Sequence, residues 1–175
     1  MNAPEEKTLI TQGKHLRFVR RGTWEYVERI KVSGIVGIVA VTAAGNLLLV
    51  EQFRPPLQNA VIELPAGLAG DVAGSENEAL SSAAARELME ETGYQAAEFT
   101  FLTEGAASAG VTNEIITLYR ASGLKKVQSG GGDGTENIQI HEVPLDGIHE
   151  WLNLRRREGK VVDLKIYAGL FFARM

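Results

Sequence analysis

The chain has 175 residues, of which 45% are hydrophobic and 23% charged, and its formal net charge is −4 at pH 7. These values predict a soluble globular domain with a substantial core, and they disfavour a nucleic-acid groove because the only dense cationic run is Arg155, Arg156 and Arg157. The chain has no cysteine, which excludes disulfides and cysteine-ligated zinc, and since no signal peptide or membrane-length apolar run is visible either, we expect a cytoplasmic protein.

The first part of the chain predicts a hairpin placed ahead of the main domain. We expect a frayed tail at residues 1–8 and strands at 15–19 and 24–30, joined by a glycine turn. Trp24 and Tyr26 share one face of the second strand because alternate residues of a strand point the same way. Packing against the core or a second subunit is the commoner role of such aromatics, and a platform for a nucleobase is the functional alternative.

Two near-continuous apolar runs follow at 35–41 and 47–52, and the turn at 44–46 predicts that they form a hairpin. Strands without polar alternation are covered on both faces, which implies a sheet between helices. A short strand at 60–64 carries Glu63 just before the turn that leads into the next helix.

Residues 75–94 predict an amphipathic helix whose start and end are marked in the sequence. Ser75 and Glu78 have the spacing of a capping box, and Gly93 suits the left-handed residue that closes a helix. The buried stripe recurs every fourth residue, at Leu80, Ala84 and Leu88.

The same helix carries carboxylates on its buried side. At about 100° per residue, Glu87 and Glu91 lie within roughly 20° of the direction of the apolar stripe, and Glu90 is adjacent. A solvated acidic face with Arg86 pairing Glu90 is the ordinary interpretation of such a charge run. The apolar stripe argues against it, because buried carboxylates need a cation, most simply Mg²⁺.

The remainder of the chain predicts alternating strands, loops and helices in a mixed α/β fold. The glycine-rich stretch at 122–135 is either a disordered connector or a mobile lid, and Glu136 follows it directly. The expected strands are 97–102, 115–121 and 138–143, and the expected helices are 144–158 and 163–173.

The helix carries a resemblance to a known family. Residues 86–94, RELMEETGY, resemble the R-E-U-x-E-E-x-G-U core of the Nudix hydrolase box, where U is a bulky apolar residue, and Glu78 stands where the box has its earlier glutamate. The chain departs from the box at Val72, where the family has glycine, which indicates a lengthened loop at 67–74. The segments QFRPP and ELPAG resemble the ADP-ribose and nucleotide-sugar pyrophosphatase branch of the family.

The resemblance implies an α/β/α sandwich of mixed sheet at 35–175, preceded by an antiparallel hairpin extension at 1–34. Members of this branch form dimers through that region, so a homodimer is implied. The resemblance further implies a Mg²⁺ cofactor, for which Mn²⁺ could substitute.

Site residues follow from the same resemblance. The metal would be held by the Ala66 carbonyl with Glu87, Glu90 and Glu91, while Arg86 would assist Glu87 and Glu90 in catalysis. Glu136 would be the catalytic base on its loop, with a box glutamate or Glu142 as alternatives. The positions implied near the substrate are Arg54, Glu63, Ser108, Gly110 and Glu114, with Trp24 and Tyr26 as the possible base platform.

The implied activity is hydrolysis of the diphosphate of a nucleoside diphosphate linked to a sugar, such as ADP-ribose or GDP-mannose. The products would be a nucleoside monophosphate and a sugar phosphate, and neither nucleic acid nor a membrane would be a partner. Three alternatives stay open: a Nudix enzyme that cleaves nucleoside triphosphates, a non-catalytic nucleotide sensor, and an isomerase on the same fold.

Overall fold

The computed structural model describes residues 5–132 and 137–175. Its strands are β1 (Lys7–Gln12), β2 (Leu16–Arg21), β3 (Trp24–Arg29), β4 (Gly34–Ala40), β5 (Asn46–Arg54), β6 (Asn59–Glu63), β7 (Ala66–Ala69), β8 (Tyr94–Gln95), β9 (Glu98–Ala106), β10 (Ile115–Ser122), β11 (Lys125–Lys126), β12 (Ile138–Pro144) and β13 (Val161–Val162). Its α-helices are α1 (Leu80–Thr92), α2 (Ile148–Arg157) and α3 (Lys165–Ala173). Within the described ranges, none of the helices is long and apolar enough to cross a membrane.

The N-terminal extension is a three-stranded antiparallel sheet in the order β1-β2-β3. The predicted hairpin of β2 and β3 is present, with Arg21 opposite Trp24 across the turn. The prediction of a frayed tail over residues 1–8 was wrong at its end, because β1 already begins at Lys7 and pairs along β2. A buried carboxylate, Glu28, binds Lys7 and Arg17 from the other two strands and so ties the sheet together.

Eight of the remaining strands form two four-stranded mixed sheets, in the orders β7-β4-β10-β9 and β12-β5-β6-β13, and β8 and β11 form a two-stranded antiparallel sheet. Both faces of the central strands are covered. On β4, Val36 and Ile38 pack in the cluster that contains Leu88 of α1, whereas Val39 packs in the cluster that contains residues of α2 and α3. Burial of both faces explains the near-continuous apolar runs in these strands, and the arrangement agrees with the predicted mixed α/β class.

The predicted hairpin of β4 and β5 exists only at its turn. Gly45 has a φ of +78° there, and Val41 bridges to Leu47. Beyond this bridge the strands diverge: β4 pairs with β7 and β10, while β5 pairs with β6 and β12. Because both strands are apolar on both faces, their pattern marks them as central strands without specifying which strand lies beside which.

Helix α1 begins at Leu80, five residues later than the sequence predicts. Its N-cap is Ala79, and no side chain bonds to the first turn, so the predicted capping box was wrong. The Glu78 carboxylate instead accepts hydrogen bonds from the Arg86 guanidinium. The predicted end is confirmed, since Gly93 has a φ of 74° and its N–H donates to the Met89 carbonyl at 2.9 Å.

Candidate active site

A cleft of about 720 Å³ opens beside α1, where the two sheets and the extension meet. Its walls combine a polar side with an apolar side. The polar lining residues are Arg29, Arg54, Glu63, Asp71, Arg86, Glu87, Glu90, Glu91, Glu114 and Lys165. The apolar lining residues include Ile35, Pro55, Pro56, Leu57, Leu68 and Ile116. A concave site of this size with a few convergent charged groups is typical of a small-molecule site.

Two carboxylates of α1 lie against the strand that precedes the helix. The Glu91 residue is 4% exposed, and its Oε2 accepts a hydrogen bond from the backbone N–H of Ala66 at 3.0 Å. The Glu87 carboxylate lies directly over Gly67, where a Cβ would stand only 1.9 Å from Glu87 Cδ. Gly67 therefore provides the space in which Glu87 sits, and the predicted inward direction of both carboxylates is confirmed.

Burial controls the charge of Glu87. Its side chain is 13% exposed, and desolvation raises the pKa of Glu87 from 4.5 to about 7, although the charge and hydrogen bond of Arg86 act in the opposite direction. A carboxylate in this state gains from a nearby cation, because the cation stabilises its ionised form.

Arg86 is the hub of the acidic cluster. Its Nη1 donates to Glu87 at 2.8 Å and to Glu90 at 3.3 Å, and its Nη2 donates to the Leu68 carbonyl at 2.8 Å. Its Nε and Nη2 each lie 3.1 Å from one oxygen of Glu78. These hydrogen bonds, led by those to Glu78, raise the pKa of Arg86 further above its usual range. The guanidinium therefore offsets the repulsion among the carboxylates and ties the helix to β7.

A second arginine and carboxylate face the cleft from β5 and β6. Arg54 Nη2 donates to Glu63 Oε2 at 2.5 Å, and Arg54 Nε donates to the same oxygen at 3.0 Å. The side chain of Arg54 is 39% exposed while that of Glu63 is 11% exposed, so the arginine carries the accessible charge. A guanidinium held in this way lies in a fixed plane, and a planar guanidinium suits phosphate oxygens.

The extension contributes a third arginine. Arg29 of β3 lines the cleft, and its Nε donates to Glu114 Oε1 at 2.6 Å. The neighbouring residue Glu28 accepts a hydrogen bond from Asn113 at 3.4 Å. Glu114 was predicted from the sequence, whereas Arg29 was not, because nothing in the spacing of β3 connects it to a loop 85 residues away. Lys165, at the start of α3, was not predicted for the same reason.

The other predicted substrate residues do not line the cleft in the described part of the chain. Trp24 is 63% exposed, and its ring lies 3.9 Å from the position of a Cβ on Gly110. The carbonyl of Ser108 accepts hydrogen bonds from the loop that follows it. Trp24, Tyr26, Ser108 and Gly110 are therefore not among the residues that line the cleft, and their roles stay predictions. Glu136 lies outside the described residues.

The donor chemistry of the cluster fits a hard divalent cation. Glu87, Glu90, Glu91 and the Ala66 carbonyl offer only oxygen atoms, the ligands that Mg²⁺ prefers. Within residues 5–132 and 137–175, however, no three His, Cys, Asp or Glu side chains are already gathered around one metal position. Arg86 stands between Glu87 and Glu90, so these side chains would have to turn to share a metal ion.

The sequence matches a family model and is similar to several known proteins. The NUDIX domain model matches residues 33–163. The "methanol dehydrogenase activator" of Bacillus methanolicus is 35% identical over 149 residues, which cover 85% of this chain and 76% of that protein. The "ADP-ribose pyrophosphatase" of Bacillus subtilis is 35% identical over 120 residues, 68% of this chain and 62% of that protein. The "GDP-mannose pyrophosphatase" of Yersinia pestis is 30% identical over 137 residues, 73% of this chain and 66% of that protein.

Proposed function

The chain belongs to the Nudix family, and on this premise we propose that it is a Mg²⁺-dependent pyrophosphatase acting on a nucleoside diphosphate linked to a sugar. The substrate class is that of ADP-ribose and GDP-mannose, and the products are a nucleoside monophosphate and a sugar phosphate. One observation carries the proposal: a single cleft joins the carboxylates of α1 to the Arg54–Glu63 pair. Relatives named for both substrates support it.

In this proposal Glu87, Glu90, Glu91 and the Ala66 carbonyl hold the metal. When bound, Mg²⁺ or Mn²⁺ neutralises phosphate charge and lowers the pKa of a water molecule. Arg86 holds the carboxylates close together, since its guanidinium contacts Glu87 and Glu90 as well as Glu78. This role supports catalysis by fixing the metal ligands.

The substrate is bound by the other charged residues of the cleft. Arg54 donates paired hydrogen bonds to the diphosphate while Glu63 fixes its plane. Glu114, which lines the cleft, contacts the sugar end. Glu136 takes a proton from a water molecule as the water oxygen bonds to one phosphorus, and the bond from that phosphorus to the bridging oxygen breaks so that the other phosphate group leaves.

We further propose a cytoplasmic homodimer formed through the extension. Residues 1–34 contain seven Lys and Arg against four Asp and Glu, whereas residues 35–175 contain eleven against eighteen. The extension is therefore basic and the remainder acidic, which favours contact between the extension of one copy and the body of another. Exposed apolar side chains of the extension add to this surface, namely Leu9, Ile10, Leu16 and Trp24.

The test is chromatographic detection of the nucleoside monophosphate released from ADP-ribose, GDP-mannose, ADP-glucose, UDP-glucose, NADH and dGTP, with Mg²⁺ and with chelator. We expect sugar-linked diphosphates to be cleaved only with metal. Glu91→Gln should abolish turnover, and Glu136→Gln should bind substrate while turning over slowly. Glu98→Gln, an exposed carboxylate outside the cleft, is the matched control and should behave as wild type.

Three results would replace the proposal. Preferential cleavage of dGTP would favour the enzyme that acts on nucleoside triphosphates. Binding of several compounds without cleavage of any would favour the sensor. A rearranged substrate with its diphosphate intact would favour the isomerase.

A further inference from the structure

The carboxyl end of α1 is closed by a segment distant in sequence, residues 128–132. A helix leaves its last carbonyls without partners inside the helix. Here the Glu91 carbonyl accepts from the N–H of Gly131 at 2.9 Å, and the Glu90 carbonyl accepts from the N–H of Gly132 at 3.0 Å. The Met89 carbonyl, already bonded to the N–H of Gly93, also accepts from the Gln128 side-chain amide at 3.2 Å. The last turn of α1 is thus fixed from outside the helix.

Most of this contact is between backbone and backbone, and it leaves no room for a Cβ on Gly93 or Gly130. A Cβ on Gly130 would lie 2.5 Å from the carbonyl carbon of Thr92 and 2.6 Å from the nitrogen of Gly93. A Cβ on Gly93 would lie 2.1 Å from the Gln128 carbonyl oxygen. Gly93 and Gly130 also have positive φ values, +74° and +71°. The glycine-rich stretch was predicted to be a disordered connector or a mobile lid; in the structure its residues 130–132 are half-buried against the end of α1.

The residues held in this way are those proposed to bind the metal. Glu90 and Glu91 contribute their carbonyls to the contact, and their side chains face the cleft. A backbone fixed at its carbonyl restricts where the side chain of the same residue can reach. A displacement of about 1 Å at a reacting site can cost about a hundredfold in rate.

We propose that residues 128–132 are a positioning element for Glu90 and Glu91, with Gly130 as the residue on which the contact depends. The inference rests on the proposed function, because it assigns the metal to these carboxylates. Residues 128–132 are not among those that line the cleft, so the segment acts by holding the last turn of α1.

The test compares Gly130→Ala with Gly45→Ala. Gly45 also has a positive φ, +78°, but nothing lies within 4 Å of its Cβ position, so alanine there adds backbone strain without contact. Both variants should lose thermal stability. Only Gly130→Ala should weaken Mn²⁺ binding, measured by titration without substrate, and lower kcat, each by about tenfold, with KM changed less than about threefold.

Hydrogen exchange provides a readout that does not depend on activity. The amides of Gly131 and Gly132 should be protected in wild type and in Gly45→Ala, and should exchange faster in Gly130→Ala. A folded Gly130→Ala protein with wild-type Mn²⁺ affinity and kcat overturns the inference. If Gly130→Ala does not fold, Gly131→Ala replaces it. A Cβ on Gly131 has room, since its nearest atom, the Ile138 carbonyl oxygen, is 3.9 Å away, but the φ of +112° strains alanine there. We expect about threefold weaker Mn²⁺ binding in Gly131→Ala, and an unchanged Mn²⁺ affinity would overturn the inference.

Failure of the inference and failure of the proposed function give different results. If wild type cleaves the substrates and Gly130→Ala does so equally well, only the positioning role is lost. If wild type cleaves nothing but binds Mn²⁺ more tightly than Gly130→Ala, the positioning role stands and the proposed reaction falls. If wild type neither binds Mn²⁺ nor cleaves any substrate, the proposed function fails at its metal site.

Discussion

Replacing Glu87 with glutamine should stabilise the metal-free protein above neutral pH. The folded-state pKa of Glu87 is about 7 because of burial, against 4.5 for the free group. A carboxyl group whose pKa is raised by folding favours the folded state fully below pH 4.5, and this contribution is lost as the pH rises through about 7. The charged form therefore weakens the fold in alkaline solution, and glutamine removes that charge while keeping an oxygen for the bond from Arg86.

The size of the effect follows from the pKa. A rise from 4.5 to about 7 corresponds to at most about 3 kcal/mol. We expect Glu87→Gln to raise the free energy of unfolding by about 1 to 3 kcal/mol near pH 8 and by less than about 0.5 kcal/mol near pH 4.

The assay is urea unfolding followed by circular dichroism, in the presence of chelator, over this pH range. Glu98→Gln, an exposed carboxylate outside the cleft, is the control and should be neutral at each pH. A gain for Glu87→Gln that is the same at both pH values, or a loss in alkaline solution, would refute the reasoning. The same variant should lose turnover with Mg²⁺, so that stability and activity change in opposite directions.

Three further predictions concern the packing around the site. Tyr94→Phe should lower the free energy of unfolding in urea by about 1 to 2 kcal/mol without changing activity, because the hydroxyl donates to Glu142 at 2.7 Å. Burial, with help from Glu142, raises the pKa of Tyr94 to about 12, so the absorbance of its phenol should change only near that pH. Glu28→Gln should lose about 2 kcal/mol at neutral pH. Burial would raise the pKa of Glu28, but the hydrogen bonds and charges of Lys7 and Arg17 outweigh burial and lower it. The loss of stability in Glu28→Gln should therefore vanish as the pH falls from 4.5 through the folded-state pKa. A loss of stability that does not depend on pH would contradict this. Leu88→Ala should lower the free energy of unfolding, measured by heat or urea, by about 2 to 5 kcal/mol, because the side chain is fully buried against the sheets. A decrease below about 1 kcal/mol would mean that the neighbouring side chains fill the cavity.

The chemistry of the cleft was predictable from the sequence because it rests on local spacing. Glu87 and Glu91 share a helix, so their common direction follows from the helical period. The family match over residues 33–163 includes this helix, and it confirms that the chain is a Nudix hydrolase, as the resemblance implied. The two ends of the helix were not equally predictable. Gly93 ends it as expected, whereas the Glu78 carboxylate accepts hydrogen bonds from Arg86 and makes no capping bond.

What the sequence did not reveal depends on contacts between distant segments. The divergence of β4 and β5 into different sheets is decided by which strands lie beside them, and both strands carry the same apolar pattern. Arg29 enters the cleft only because β3 meets the loop before β10, where Val27 bridges to Thr112. The contact of Gly130 with the end of α1 also joins segments that share no periodicity.

The attachment of the extension has a consequence for how this protein can diversify. Arg29 reaches the cleft from a strand outside the matched residues 33–163, and it is held there by Glu114. The carboxylates of α1 and the arginine of β3 therefore lie in different segments of the chain. Redesign of the extension should change which molecules the cleft admits while the carboxylate helix stays untouched. A chain without residues 1–32 would keep α1 and lose the part of the cleft wall that Arg29 provides.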